Sequence, residues 1–339
     1  MTEDRVQRTS LLTSFIILLL SCIWLTAVMF SGCSRKEHDV RVLKLAHALD
    51  TEHPVHKAMV FMADKVKEKS QGRMRIDIYP SEQLGSEREC IEQLQVGALS
   101  ITKASSSAIE GFVSKMKVLG LPYLFRDSEH FWNALLGPTG EEILAAGEPV
   151  GLKGLCFYDA GARSFYTRNR PVESPADLKG MKIRVQKSEM AIKMILAMGG
   201  SATPIDWGEL YTSLQQGVVD AAENNPPSFY NSMHYEVCRY YILDEHTRCP
   251  DVLMISTFVW NNLTPELQRI LQESADESVT YQRKLWDQKE KECLDAVEKA
   301  GVKVTRPDKG PFREATKSIW KEFEDTEIGE IAKRIVEVQ

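Results

Sequence analysis

The 339-residue chain lacks the short signatures by which catalytic or nucleotide-binding chemistry is usually legible. It has no GxGxxG and no GxxxxGK[ST], so no glycine-rich phosphate cradle is marked. GxSxG and HExxH are also missing, which removes the hydrolases and metalloproteases that depend on them. Paired carboxylates for glycoside hydrolysis cannot be picked from spacing. No CxxC occurs, and Cys90, Cys156, Cys238, Cys249 and Cys293 lie scattered beyond Cys33. Five is odd, so at least one thiol stays unpaired. Cys238 and Cys249 could pair in an oxidising compartment, but small buried residues are the favoured reading. Strong charge bias is absent as well: the net charge is −6, which gives no electrostatic reason to expect nucleic acid. His47, His53 and His56 cluster, the last two one helical turn apart, yet no second ligand set accompanies them and no metal is expected.

What is present begins at the N-terminus. Arg5 and Arg8 precede the apolar run "LLTSFIILLLSCIWLTAVMF", which ends in "FSGC" at residues 30–33. The small-small-Cys ending resembles the lipobox of bacterial lipoproteins, although Phe30 stands where Leu is usual. The expectation is a signal peptide over 1–32, lipid on Cys33, and a tether over 33–40; a retained membrane anchor is the alternative. Either way the body of the protein lies outside the cytoplasmic membrane.

That body, about 300 residues, is long enough for two lobes. Strand-like and helix-like segments alternate from "VLKLAHAL" to "DAAEN", which argues an α/β fold with helix-covered sheets. "SEHFWNALLGPTGEEILAA" reads as helical and "SATPIDW" as a strand ending at Trp207. The stretch from Thr264 to Gly301 has a Thr cap, Pro265 in its first turn and no interior Pro or Gly. At 1.5 Å per residue such a helix is roughly 55 Å long, so it either breaks or crosses both lobes.

The cations carry more information. Arg163 follows Gly161 where the first block passes into the second. Arg184 lies in "MKIRV", where alternation puts it on a wet strand face unless a cleft claims it. Asn224 and Asn225 end a short apolar strand before two prolines, the way α/β proteins present polar groups at a crevice. An arginine fork matches a carboxylate in two-point contact, an amide can add a donor, and Trp207 offers an apolar wall.

At these residues the chain becomes recognisable. "DLKGMKIRVQKSEMAIKMILAMGGSATPIDWGELYTSLQQGVVDAAENNPPSF" resembles the solute-binding proteins of TRAP transporters, dicarboxylate-type receptors that feed sodium-driven importers. "YPSEQLGSERECIEQLQVGALSIT", "LGLPYLFRDSEHFW" and the long C-terminal helix extend the likeness over nearly all of the mature chain. The resemblance implies a two-lobed periplasmic-binding-protein fold with crossing segments and a long helix bridging both lobes. Lobe I would comprise 41–161 plus about 250–290, and lobe II 162–249 plus about 291–339.

By the same resemblance Arg184 forms the main ion pair with a ligand carboxylate. Arg163 and Asn224 add contacts, and Trp207 lines the pocket. From the first lobe His47, Glu87 and Ser105 would reach the rest of the ligand, with Lys103 close by. "ENNPPSF", "LAHALDTEHPVHKAM" and "SITKAS" look most like the hexuronate-binding branch, for D-glucuronate or D-galacturonate, and Asn225 would join His47, Glu87 and Ser105 on sugar hydroxyls. The alternatives are a C4-dicarboxylate, an aldonate or sialate, or a sensor subunit with the same fold. The implied partners are the small and large membrane subunits of a TRAP permease. A lipid-tethered monomer with no cofactor and no catalytic activity is expected.

Overall fold

Alternation builds the strands as the spacing predicts: in "MRIDIY" Met74 and Ile76 are buried and Arg75 is exposed. The computed structural model describes residues 40–339. The expected signal peptide, Cys33 and the tether up to residue 39 lie outside the described residues. Among the described residues the strands are β1 (Arg41–Ala46), β2 (Met74–Tyr79), β3 (Ile101–Ser105), β4 (Leu152–Tyr158) and β5 (Arg163–Thr167). They continue as β6 (Lys182–Val185), β7 (Ser201–Pro204), β8 (Ala221–Asn224), β9 (Tyr240–Thr247), β10 (Asp251–Ser256) and β11 (Lys303–Thr305).

Two mixed sheets result, in the orders β2-β1-β3-β10-β4 and β11-β9-β5-β8-β6-β7. Each has helices packed against it, and together they make the α/β, two-lobed fold. The chain crosses between sheets after β4, after β9 and, through the long helix, after β10. The Pro265–Lys299 helix runs unbroken for 35 residues and packs on the Pro54–Lys69 helix, on β4 and on the short Pro226–Asn231 helix. It therefore touches both lobes. It also grips the first crossing segment: Gln282 Nε2 donates to the Asp159 carbonyl (2.8 Å), and Gln282 Oε1 accepts from the Asp159 N–H (2.9 Å). Gly161 has φ +58°, and a Cβ there would come within 2.9 Å of Trp286 on this helix. Only glycine fits that crossing.

Several expectations are corrected. The segment from Ser128 to Ala146 is two helices, because Gly137 and Pro138 stop the first and Pro138 opens the second. Trp207 does not end a strand. β7 stops at Pro204, Asp206 takes the cap position, and Trp207 is the first residue of the Trp207–Gln216 helix. The final helix, Glu327–Glu337, rests on first-lobe segments rather than the second lobe. Arg334 pairs with Glu142 (2.7 Å), Glu327 with Lys115 (3.0 Å), and His130 Nε2 meets the Ile335 carbonyl (2.8 Å). The cysteines follow the favoured reading: Cys238 and Cys249 are unpaired and buried, like Cys90, Cys156 and Cys293.

Candidate ligand-binding cleft

Strand polarity gathers the expected side chains. β6 and β8 run parallel, so Arg184 and Asn224 sit near the same, carboxyl-terminal edge of the second sheet. β5 runs antiparallel to β8 and pairs Ser164 with Asn224, which brings Arg163 to that edge too. Ser105 and Lys103 come from the end of β3, and Glu87 opens the Glu87–Gln95 helix beside them. Between the sheets lies a cleft of ≈ 790 Å³ including its open mouth. Glu87, Lys103, Ser105, Arg163, Arg184, Trp207, Asn224 and Asn225 all line it. A crevice outside strand carboxyl ends is where α/β proteins place small-molecule ligands.

The two arginines differ. Arg163 binds the Glu223 carboxylate with two prongs, Nε to Oε2 and Nη2 to Oε1 (2.8 Å). Nη2 also donates to the Glu223 carbonyl (2.9 Å), and Nη1 to Asn224 Oδ1 (3.1 Å). One Nη1 hydrogen remains for the cleft. His246 Nε2 lies 3.5 Å from Glu223, and its Nδ1 lies 2.7 Å from Asp244. Burial pushes the Glu223 carboxyl up, but Arg163 and His246 outweigh it and hold its pKa at about 2. Arg184 is as deeply buried, at 2% exposure, yet among the described residues no carboxylate lies within ion-pair distance of it. Its Nε donates to the Ile205 carbonyl (2.8 Å), its Nη1 is buried without a partner, and its guanidinium lies 5.7 Å from the Trp207 ring. Burial lowers its pKa from the ordinary arginine value. With Nε fixed, the paired Nη groups form a fork for one carboxylate.

The amides divide the same way. Asn224 Oδ1 accepts from Arg163 and from the Asn225 N–H (2.9 Å), so its Nδ2 is the end left to donate. Asn225 is occupied within the protein: Oδ1 caps the Pro226–Asn231 helix at the Ser228 N–H (2.8 Å), and Nδ2 donates to the Ala160 carbonyl (2.9 Å).

On the first-lobe wall Lys103 sits between Glu87 (3.0 Å) and Asp251 (3.1 Å). Burial lowers the pKa of its ammonium, but the two carboxylates outweigh that and raise it overall. The Ser105 N–H donates to Glu87 Oε1, and Ser105 Oγ crosses the cleft to Gln186 Oε1 (3.3 Å).

His47 does not line the cleft; Ala48 and Leu49 do. His47 Nδ1 accepts from the Leu49 N–H (3.1 Å), so its Nε2 donates to His56 Nδ1 (3.0 Å). Burial, then Lys103, holds its pKa at about 2. His53 does face the cleft. It caps its helix through Nδ1 and reaches Ser228 Oγ with Nε2 (3.4 Å). Burial holds it at about pKa 3, so both rings are neutral hydrogen-bonding groups. No cluster suited to a metal occurs among the described residues.

Sequence reasoning missed Gln186, Ser228, Asp251 and Glu82 as lining residues. Gln186 was within reach, because it directly follows "KIRV". Glu82 and Asp251 carried no signal of their own.

This arrangement, one carboxylate fork between two α/β lobes, is that of a solute-binding protein, and comparison agrees. Residues 45–326 match the family described as bacterial extracellular solute-binding protein, family 7. A TRAP periplasmic solute-binding protein from Xanthobacter autotrophicus, solved with bound β-D-galacturonate, is 41% identical with a TM-score of 0.85 and covers 88% of this chain and 100% of its own. One from Bradyrhizobium in complex with galacturonate is 43% identical, TM-score 0.85, over 87% and 99%. One from Pseudomonas putida with bound D-glucuronate is 37% identical, TM-score 0.85, over 88% and 97%. The chain belongs to this family and is a TRAP-type solute receptor. Among the described residues no helix is long and apolar enough to cross a membrane.

Proposed function

We propose that the cleft captures a hexuronate, D-glucuronate or D-galacturonate, and that the receptor delivers it to the small and large membrane subunits of a TRAP permease. The observation that carries this reading is Arg184, a buried cation with no counter-charge among the described residues. The other cations lining the cleft are paired: Lys103 with Glu87 and Asp251, Arg163 with Glu223, Lys187 with Asp206, Arg88 with Glu92. The cleft therefore offers one full charge to one carboxylate. A monoacid fits that count, and a dicarboxylate leaves a second charge unmatched. Asn224 Nδ2 and the spare Arg163 hydrogen add donors at the same end, and Trp207 walls the sugar ring. Glu87 and Ser105 serve hydroxyls from the first lobe. The hexuronates seen in three similar receptors support this choice of acid.

The receptor binds without catalysis, as a monomer, and Cys33 carries a lipid that holds it at the membrane surface. The lobes that close on the ligand follow sheet membership, with the long helix spanning them. Mass spectrometry of the mature N-terminus checks the lipid. A thermal-shift screen with glucuronate, galacturonate, succinate, malate and sialate checks the ligand. Ligand at a hundred times its Kd adds about 2.7 kcal/mol of stability. Shifts confined to hexuronates are expected; shifts only with dicarboxylates or sialate overturn the hexuronate reading.

A further inference from the structure

Glu82 is the unassigned group in this cleft with the least ordinary setting. It follows β2 in a loop where Ser81 and Glu82 both adopt left-handed backbone, φ +53° and +57°. Neither is glycine, so the conformation is strained and must be held. The segment just after β1 holds it: the Ser81 N–H donates to the Leu49 carbonyl (3.0 Å) and the Glu82 N–H to the His47 carbonyl (3.2 Å). This turn aims the Glu82 side chain across the cleft at the second lobe. There it meets Gly208, in the first turn of the Trp207–Gln216 helix, so closely that a Cβ at 208 would lie 2.3 Å from Glu82 Oε2. Glu82 lines the cleft, and its Oε1 is buried with no hydrogen-bond partner. One oxygen is thus seated against the far wall, and the other lacks a partner.

We propose that Glu82 is a specificity-determining residue: its carboxyl accepts a hydrogen bond from a hydroxyl of the bound sugar acid and rejects a second carboxylate. This deepens the hexuronate reading and rests on it. The seat on Gly208 joins the two lobes, so the selection operates when they have closed. The groups facing Glu82 are Glu87 on its own lobe, Asp206 and Arg184 across the cleft, and the Gly208 backbone N–H. Two of them are carboxylates, so beyond the one carboxylate that Arg184 takes, a second anion beside Glu82 is disfavoured. Burial first, then Glu87 and Asp206, raises the Glu82 pKa to about 7, so the group is anionic at pH 8.

The test is calorimetric titration of the whole mature receptor at pH 8 with D-galacturonate and with D-galactarate, the same skeleton bearing a carboxylate at both ends. The wild-type chain is expected to favour the uronate by about a hundredfold, as a like-charge contact of several kcal/mol requires. Glu82→Gln keeps shape and removes charge, so it should cut that preference about tenfold, chiefly by gain of aldarate binding. Glu82→Asp keeps the charge and should still reject the aldarate. Gly208→Ala, which takes the seat from Oε2, should weaken uronate binding about tenfold. A uronate-to-aldarate ratio unchanged in Glu82→Gln overturns the assignment while leaving the hexuronate reading intact. Failure of the wild-type chain to bind any hexuronate overturns both.

Discussion

Arg163 and Arg184 stand at the same edge of one sheet, both buried, and among the described residues only Arg163 has a counter-charge, Glu223. Arg163 is part of the folded structure: it neutralises Glu223, fixes Asn224, and is itself held by both. Arg184 is anchored through a single carbonyl and keeps its fork unpaired among the described residues. A buried charge of the first kind supports the fold, because removing it strands a partner. One of the second kind is a cost in the unliganded protein that a ligand carboxylate relieves. Sequence type and burial are alike at both positions; the counter-charge decides the role.

Substitution should separate them most sharply. Arg184→Ala is expected to cost about 3–5 kcal/mol of ligand binding, two to three and a half orders of magnitude in Kd, with unliganded stability unchanged or raised. Titration calorimetry and denaturant unfolding on the same sample check both halves. Arg163→Ala should act first on the fold and destabilise it by about 3–5 kcal/mol, because Glu223 is left buried without its main partner. Adding Glu223→Met to Arg163→Met should recover part of that loss. Equal effects of the two arginine variants on unfolding would erase the distinction.

A smaller effect reports on the first-lobe wall. Glu82, seated against Gly208, has its pKa raised by burial, then by Glu87 and Asp206, to about 7, against 4.5 for an ordinary glutamate. Its pKa is raised, so closure takes up a proton below about pH 7, and hexuronate binding should weaken as pH rises through that value. A fall of about tenfold from pH 6 to pH 8 is expected. Glu82→Gln should flatten the profile, and an identical slope in the variant would assign the proton elsewhere. The smallest effect belongs to Asn225, which is bonded within the protein rather than offered to the cleft. Asn225→Ala should lower stability by about 1 kcal/mol through the lost cap. Its effect on Kd should stay small beside that of Arg184→Ala.

Much of this was legible beforehand for stated reasons. Period-two alternation marked β2 and β6, and the Thr264 cap with an uninterrupted run to Lys299 marked the long helix. The order of motifs pointed to the family and to most of the cleft. Boundaries failed where local competition decided them, as at Asp206, which starts a helix inside a segment with strand-like spacing. His47 was misplaced by one residue. Its ring turns to His56 just past the end of β1 and leaves Ala48 and Leu49 at the cleft.

The sequence by itself determined the alternation of strands and helices, the long uninterrupted helix and the family. Those follow from local periodicity, capping and motif order, all properties of neighbours along the chain. The tertiary structure alone decided that Glu223 neutralises Arg163 and not Arg184, that Lys103 is shared by Glu87 and Asp251, and that Glu82 reaches Gly208 across the cleft. Charge pairing acts over a few ångströms in space between residues far apart in sequence. Only the folded arrangement of two sheets can say which buried charge is left for a ligand.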